Sequence, residues 1–201
     1  PGIPAKISND RGLSWQDSNA VLESPLDWWL TYVPDHNTAD NDVWAPDVHI
    51  YNNKVWLYYA VSTFGSQSSM IGLFSSDSLA AGEWVDEGVV ISSSPSVDYN
   101  AIDPNLFIDV DDEPWLLFGS WWTGIKLTKL DKTTMKPIGD ITSLAYSGGG
   151  VEGPSLMYRD GYYYLFVSTG MCCIGLDSSY QTRYGRATSI TGPYLDKNGF
   201  N

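Results

Sequence analysis

The chain has 201 residues, of which 43% are hydrophobic and 17% charged, and these values indicate a single soluble domain with a substantial core rather than a disordered chain. The formal net charge of −13 comes from 24 acidic and 11 basic residues, without a Lys/Arg cluster. We therefore expect no binding to nucleic acid or to anionic membranes, whereas a neutral partner such as a carbohydrate is tolerated. No apolar run reaches the ~18 residues of a membrane span, and no signal-peptide pattern opens the chain.

The predicted elements are strands arranged in repeats. Residues 1–45 supply one hairpin pattern, KISNDRGLSWQDSNAVL, with no first half in front of it. Fuller units begin near residues 46, 104 and 154 and read WAPDVHIYNNKVWLYYAVST, IDPNLFIDVDDEPWLLFGSW and VEGPSLMYRDGYYYLFVSTG. Each unit has an apolar strand, a polar turn and an aromatic strand, and a second hairpin with a Ser/Asp turn follows. Two hairpins over about 50 residues match a four-stranded propeller sheet.

We therefore predict an all-β fold in the form of an incomplete β-propeller. Residues 1–45 would form half a blade and the later units three blades, whereas propellers close with ~4 to 8 blades. Hairpin turns are expected at Asn52-Asn53, Asp111-Asp112 and Asp160-Gly161, where the residue types tolerate positive φ. An open propeller leaves sheet edges unpaired, so a piece that does not fold alone is an alternative.

The cysteines and histidines give weak signals. Cys172 and Cys173 are the only cysteines and are adjacent. Adjacent cysteines can bond only through a strained ring, and metal sites space their ligands further apart, so we expect packing thiols, with a strained disulfide or a site-lining role as the alternative. His36 and His49 have no partner at metal-binding spacing, and His49 is expected to be structural.

Two carboxylates give a stronger signal. Asp103 in IDPN and Glu152 in VEGP occupy nearly equivalent places at the start of an innermost strand. Innermost strands line the central axis of a propeller, so both carboxyl groups would converge at one end of it. Two neighbouring carboxyl groups push each other's pKa values apart, and glycosidic bond cleavage needs one protonated acid and one ionised base. Capping of a turn at the start of each strand is an alternative role for both residues.

Five segments together resemble a known family over essentially the whole chain: WAPD, AIDPN, FGSWWTGIK, VEGPSLMYRDGYYYLF and CC-x-G-x-x-S-x-Y-x-x-R-x-GR. They are similar to the glycoside hydrolase family 43 arabinanases, and within them to endo-1,5-α-L-arabinanases of the fungal secreted type. The resemblance implies a five-bladed β-propeller and an inverting mechanism with three acids. Glu152 resembles the general acid, and Asp103 resembles the acid that orients it and tunes its pKa. The general base is expected in an Asp-Pro motif before Pro1, and Asp47 is the alternative within the chain.

The resemblance also implies substrate-binding residues. Sugars present C–H faces that pack on aromatic rings. Trp44 and Phe64 resemble residues that stack on arabinose units beside the cleavage point, with core packing as the alternative. Further contacts to the substrate are expected from the wall of the groove and from hydrogen-bonding side chains, namely Trp121, Trp122, Gly124, Ile125, Ser120 and Asn100.

The implied function is cleavage of internal α-1,5-L-arabinofuranosidic bonds in arabinan or arabino-oligosaccharides by a secreted, extracellular, monomeric enzyme whose signal peptide is not in this chain. The chemistry implies no cofactor, and the resemblance allows a calcium ion at the propeller centre of a complete domain, near a His expected after Asn201. Two alternatives stay open. One is an exo-acting α-L-arabinofuranosidase or a β-xylosidase of the same family, and the other is a non-catalytic carbohydrate-binding propeller fragment.

Overall fold

The computed structural model of the chain describes residues 2–35, 43–79 and 82–200. These residues form strands and two short 3-10 helices, Asp27–Thr31 and Gly175–Asp177. The strands are β1 (Ile3–Ile7), β2 (Gln16–Leu22), β3 (Val43–Tyr51), β4 (Lys54–Val61), β5 (Ser69–Ser76), β6 (Val85–Ser93), β7 (Asn105–Ile108), β8 (Pro114–Phe118), β9 (Ile125–Lys129), β10 (Thr142–Ala145), β11 (Val151–Arg159), β12 (Tyr162–Thr169) and β13 (Gln181–Ala187). Neither helix in these ranges is long and apolar enough to cross a lipid bilayer.

The strands form four antiparallel sheets that follow the sequence repeats. β1 pairs with β2, β3 to β6 form a second sheet, β7 to β10 a third, and β11 to β13 a fourth. The predicted all-β class is therefore confirmed. The described part of the last unit has three strands rather than the four expected, and the sheets stand open, so the number of blades in a closed ring stays a prediction.

Tight turns join the first two strands of each of the three larger sheets. The turn between β3 and β4 contains Asn52 and Asn53, whose φ angles are 49° and 58°. Asp112 and Asp160 have φ angles of 60° and 51° in the corresponding turns of the next two sheets. Asn and Asp adopt this left-handed conformation more readily than other residues with a Cβ atom, which explains why the predicted turns occur here.

Three hydrophobic cores lie between successive sheets, and the central strands contribute to two of them. Leu116 and Phe118 of β8 pack in the core that also contains Tyr58 of β4. Leu117, which lies between them in the sequence, packs on the other face of the strand with Leu165 of β12. Because side chains alternate between the two faces of a strand, a strand buried on both faces has a continuous apolar sequence.

Successive sheets are also joined by one repeated hydrogen bond. The carboxylate Oδ2 of Asp47 accepts the backbone N–H of Leu106 at 2.6 Å, and the amide Oδ1 of Asn105 accepts the backbone N–H of Leu156 at 3.0 Å. Asp47 and Asn105 each follow the proline on which the repeats align. These two bonds, which we call the inter-sheet ties, hold the middle of β3 against β7 and the start of β7 against the middle of β11.

Substitution of Asn105 by Ala tests the inter-sheet ties. The buried N–H of Leu156 would lose its acceptor, so we expect the free energy of unfolding to fall by about 1–3 kcal/mol in urea or thermal unfolding. Asn19→Ala is the control, because Asn19 is exposed on β2. Equal effects of the two substitutions would contradict a structural role for the tie.

Candidate active site

A cavity of about 660 Å³ lies beside the starts of β3 and β11 and the segment that precedes β7. Eight of the ten predicted site residues line it: Trp44, Phe64, Asn100, Asp103, Ser120, Trp121, Trp122 and Glu152. The lining also includes residues that the sequence analysis did not assign to substrate or catalysis, namely Gly65, Ser66, Ile102, Met171, Cys172, Cys173 and Tyr180. The fold therefore brings residues from three sheets to one concave site.

The two predicted carboxylates meet in this cavity. The backbone N–H of Gly153, the residue after Glu152, donates a hydrogen bond to Oδ2 of Asp103 at 3.0 Å. Burial and the negative charge of Glu152 raise the pKa of Asp103 to about 6, against the opposing effect of the Gly153 hydrogen bond. Asp103 thus changes its charge within the mildly acidic range.

Both oxygens of the Glu152 carboxylate have a hydroxyl partner. The hydroxyl of Ser120 donates to Oε2 at 2.7 Å, and the hydroxyl of Tyr180 donates to Oε1 at 2.7 Å. Ser120 also forms an antiparallel bridge with Glu152, and the N–H of Trp121 donates to the carbonyl of Val151 at 2.9 Å. The segment after β8 therefore pairs with the start of β11, and together with Tyr180 it fixes the orientation of the carboxylate.

Tyr180 is the main residue that the sequence analysis missed. It lies just before β13, in the loop that follows β12, and its hydrogen bond spans 28 residues of sequence to Glu152. Burial, followed by the hydrogen bond to the carboxylate, raises the pKa of Tyr180 to about 12, so its hydroxyl remains a donor at neutral pH. The tyrosine belongs to the CC-x-G-x-x-S-x-Y run, which was the available signal.

The structure corrects the expectation for the cysteines. Cys172 and Cys173 form a disulfide bond with each other, so the prediction of packing thiols is wrong. Both residues line the cavity, as the alternative interpretation proposed. General disulfide geometry disfavours a bond between neighbours, and only the conformation of this loop allows it.

Two predicted substrate-binding residues lie outside the cavity. The side chain of Ile125 is fully buried and packs in the core with Leu117, so it has no surface to offer a sugar. Gly124 has a φ of 76° and lies so close to the carbonyl oxygen of Ala145 that a Cβ atom would collide with it. Both residues follow the Trp121-Trp122 turn, and their part is to lead the chain from the site into β9.

Asp47 and His49 do not contribute to the cavity. Oδ2 of Asp47 accepts the N–H of Leu106 and lies 3.2 Å from Nε2 of His49. This contact fits the predicted structural role of the histidine. Asp47 is not part of the cavity lining. His36 lies outside the described residues.

Four cavity residues with a side chain have a left-handed backbone. The φ angles are 54° for Asp103, 53° for Trp121, 35° for Trp122 and 66° for Cys173. Such conformations cost about 1–3 kcal/mol each and persist only where the surrounding structure holds them. The hairpin-turn residues Asn52, Asn53, Asp112 and Asp160 also have positive φ, as their turns require, and Ala45 has it at the register shift of β3. The sheets thus hold the cavity residues in orientations that a relaxed chain rarely adopts.

Comparison with known proteins agrees with this arrangement. The sequence model of glycosyl hydrolases family 43 matches residues 1–201. The chain belongs to glycosyl hydrolase family 43.

Several curated proteins are similar to the chain. An extracellular endo-α-(1→5)-L-arabinanase of Bacillus subtilis is 54% identical over 96% of the chain and 62% of its own length. An arabinan endo-1,5-α-L-arabinosidase of Aspergillus niger is 40% identical over 90% of the chain and 61% of its own length. The likeness is therefore not specific to the fungal type. The chain spans about three fifths of the length of these relatives.

Solved structures of similar proteins share the fold. An endo-arabinanase from Bacillus licheniformis is 52% identical, with a TM-score of 0.92 over 98% of this chain and 68% of that protein. The α-L-arabinanase of Cellvibrio cellulosa in complex with arabinohexaose is 34% identical, with a TM-score of 0.89 over 98% of this chain and 67% of that protein.

The calcium ion that the family resemblance allows at the centre of a complete domain stays a prediction. Calcium binds six to eight oxygen ligands, usually with several carboxylates. No group of three or more His, Cys, Asp or Glu side chains suited to a metal occurs in residues 2–35, 43–79 and 82–200.

Substitution of Asp103 by Asn tests the electrostatics of the site. Because folding raises the pKa of Asp103 from 3.8 to about 6, the ionised carboxylate destabilises the fold, and this loss of stability develops as pH rises from below 4 through 6. We expect Asp103→Asn to be about 1–3 kcal/mol more stable than the parent at pH 8 and nearly unchanged at pH 4.

Thermal unfolding at both pH values measures this difference. Asp160→Asn is the matched control, because Asp160 is exposed in an Asp-Gly turn where Asn is equally suitable, and it should change stability at neither pH. The same effect of Asp103→Asn at pH 4 and pH 8 would contradict the raised pKa.

Proposed function

We propose that the protein containing this chain is an endo-1,5-α-L-arabinanase, which hydrolyses internal α-1,5-L-arabinofuranosidic bonds of arabinan with inversion at the anomeric carbon. The observation that carries this proposal is the pairing of Asp103 and Glu152 in an aromatic-lined cavity, in a chain 54% identical to an endo-arabinanase. The extracellular relatives support secretion, and we propose that the enzyme acts as a monomer.

We also propose that the four sheets are consecutive parts of a five-bladed β-propeller. The repetition of the inter-sheet ties supports this architecture, because each tie relates one sheet to the next in the same way. Ser155 follows the third repeat proline, in the place of Asp47 and Asn105, and is exposed. In a closed ring its hydroxyl would be placed to accept the equivalent bond from a further blade.

In the proposed mechanism Glu152 is the general acid. It protonates the departing glycosidic oxygen, while a base on the opposite face of the sugar removes a proton from the attacking water. Asp103 lies beside this acid, because the N–H of Gly153, the residue after Glu152, donates to Oδ2 of Asp103 at 3.0 Å, and its proposed part is to orient Glu152. Inverting enzymes hold the acid and the base ~6.5–9.5 Å apart to make room for the water.

The general base is proposed to lie outside residues 1–201. Asp47, the alternative within the chain, is committed to the N–H of Leu106 and does not line the cavity. A base must reach the water that attacks the substrate, so Asp47 does not suit this part.

The walls of the cavity suit a neutral sugar polymer. Phe64 is 78% exposed, and Trp121 and Trp122 are 37% and 39% exposed, although all three are large apolar residues. Aromatic faces of this kind pack on the C–H faces of sugars and do not need charge on the ligand. We propose that these residues and Trp44 bind successive arabinofuranosyl units.

Substitution of Glu152 by Gln, made in the complete protein, tests the proposed acid. Gln cannot deliver a proton, so kcat on linear α-1,5-arabinan should fall ~10²–10⁴-fold while binding of arabinohexaose is retained. Reducing-sugar release measures the first effect, and isothermal titration calorimetry measures the second. Glu23→Gln is the control on an exposed carboxylate and should keep full activity. Full activity of Glu152→Gln would remove Glu152 from the mechanism.

Substitution of Tyr180 by Phe tests whether its hydroxyl positions the acid. The variant loses the donor to Oε1 of Glu152, one of the two hydroxyl partners that orient this carboxyl group. We therefore expect a several-fold lower kcat on linear α-1,5-arabinan with KM little changed. Tyr184→Phe is the matched control, since Tyr184 is exposed on β13 and packs against Phe166. The same fall in kcat in Tyr184→Phe would contradict this assignment.

One relative favours a second candidate function. An extracellular exo-α-(1→5)-L-arabinofuranosidase of Cellvibrio japonicus is 36% identical over 99% of the chain and 62% of its own length. An exo-acting enzyme would release short products of one length from the start of the digestion of arabinan, whereas the proposed endo-acting enzyme would release products of many lengths.

A further inference from the structure

The loop between β12 and β13, residues 170–180, carries both the disulfide and Tyr180; we call it the disulfide loop. Its backbone is fixed by its own serines. The N–H of Met171 donates to Oγ of Ser179 at 3.1 Å, and the N–H of Ser179 donates back to the carbonyl of Met171 at 3.0 Å. Ser178 accepts the N–H of Ile174 at 3.2 Å within the loop. The position of the disulfide is therefore set by an ordered loop.

Stabilisation of the fold does not account for this disulfide. A disulfide stabilises a protein mainly by restricting the unfolded chain, and the effect grows with the length of the loop that it closes. Cys172 and Cys173 are neighbours, so their bond closes the shortest loop that a chain can offer. What the bond does achieve is to hold two sulfur atoms side by side at a cavity wall, where Cys173 has a left-handed φ of 66°.

The surface that the disulfide loop presents to the cavity is apolar, and it consists of sulfur atoms rather than of hydrocarbon groups alone. The disulfide has no charge and no strong hydrogen-bond donor, and the adjacent Met171, a residue that is 47% exposed, adds a thioether to the same cavity. Polarisable sulfur packs well against irregular apolar surfaces. The C–H face of a sugar ring is such a surface, and Trp44 and Phe64 in the same cavity offer it aromatic partners.

We propose that Met171 and the Cys172–Cys173 disulfide form a sugar-binding surface for one arabinofuranosyl unit of the substrate. This proposal rests on the proposed arabinanase function and adds a contact to it. The unit bound here is one next to the scissile bond, because Tyr180 at the end of the same loop contacts Oε1 of Glu152 at 2.7 Å. The sulfur surface contributes to the affinity for the arabinan substrate, while Glu152 performs the proton transfer.

The proposal makes binding sensitive to the oxidation state of the two cysteines. A phosphine reduces the disulfide to two thiols, which gain two protons, while the phosphine takes an oxygen atom from water and becomes the phosphine oxide. Reduction removes the covalent link between the sulfur atoms, and Cys173 is then free to leave its left-handed conformation. The sulfur surface would lose its shape, and the substrate would bind more weakly.

The test uses the complete protein and linear α-1,5-arabino-oligosaccharides as the probe. We expect the double substitution Cys172→Ala/Cys173→Ala to raise KM ~10-fold with kcat changed less than ~3-fold, because a contact made equally in the ground and transition states affects KM alone. Phosphine treatment of the parent should raise KM similarly, and mass spectrometry should count two new thiols. Oxidised glutathione, which re-forms the disulfide by exchange and is itself reduced to two thiols, should restore KM. Met171→Ala should raise KM to a smaller extent.

Leu176→Ala is the matched control, because Leu176 is a fully exposed apolar residue of the disulfide loop that does not line the cavity. It should leave KM and kcat unchanged. Thermal unfolding of each variant separates a local effect from a loss of folding, and the reduced parent tests the disulfide without any substitution.

The outcomes separate this proposal from the function on which it rests. Unchanged KM in both the double variant and the reduced parent, with the parent active on arabinan, would overturn the sulfur surface and leave the arabinanase function intact. A lower kcat at unchanged KM would also overturn it, because the loop would then act only by holding Tyr180. A parent that neither binds nor cleaves the oligosaccharides would overturn both.

Discussion

The site depends on the inter-sheet ties, in which a side chain on the first strand of one sheet accepts a hydrogen bond from a backbone N–H of the next sheet. The carboxylate of Asp47 accepts the N–H of Leu106, and the amide oxygen of Asn105, the residue before Leu106, accepts the N–H of Leu156. Apolar contacts between sheets are not directional and allow small shifts, whereas a hydrogen bond to a backbone N–H fixes the relative position of two strands. Asp103 lies two residues before Asn105, so the same bond that aligns the sheets also determines how Asp103 and Glu152 face each other.

The electrostatics of the site contrast with the acidic surface of the molecule. The chain has a net charge of −13, yet most of the large residues that line the cavity are aromatic or sulfur-containing, and the two carboxyl groups lie among them. Burial raises the pKa of Asp103, whereas hydroxyl donors surround Glu152. The immediate surroundings thus differ between the carboxyl groups of Asp103 and Glu152, and two carboxyl groups with different catalytic roles require such a difference.

Much of this could be predicted from sequence, because the repeats mark the sheets and the prolines mark the strand starts that meet at the cavity. The failures have local causes. Ile125 follows the Trp121-Trp122 turn, and adjacency could not reveal that its side chain enters the core. Tyr180 reaches Glu152 only through the conformation of the disulfide loop, which no periodic pattern encodes. The bond between Cys172 and Cys173 contradicts a general expectation of disulfide geometry and depends on the same loop.

The left-handed backbone at Asp103, Trp121, Trp122 and Cys173 has a consequence for engineering and for evolution. Glycine would relieve the strain at each of these positions, so a search for heat-resistant variants would favour changes there. Each such gain would remove a side chain that lines the cavity. Thermostability and substrate recognition therefore compete at the same four positions, and heat resistance is better sought in the outer hairpins, away from the cavity.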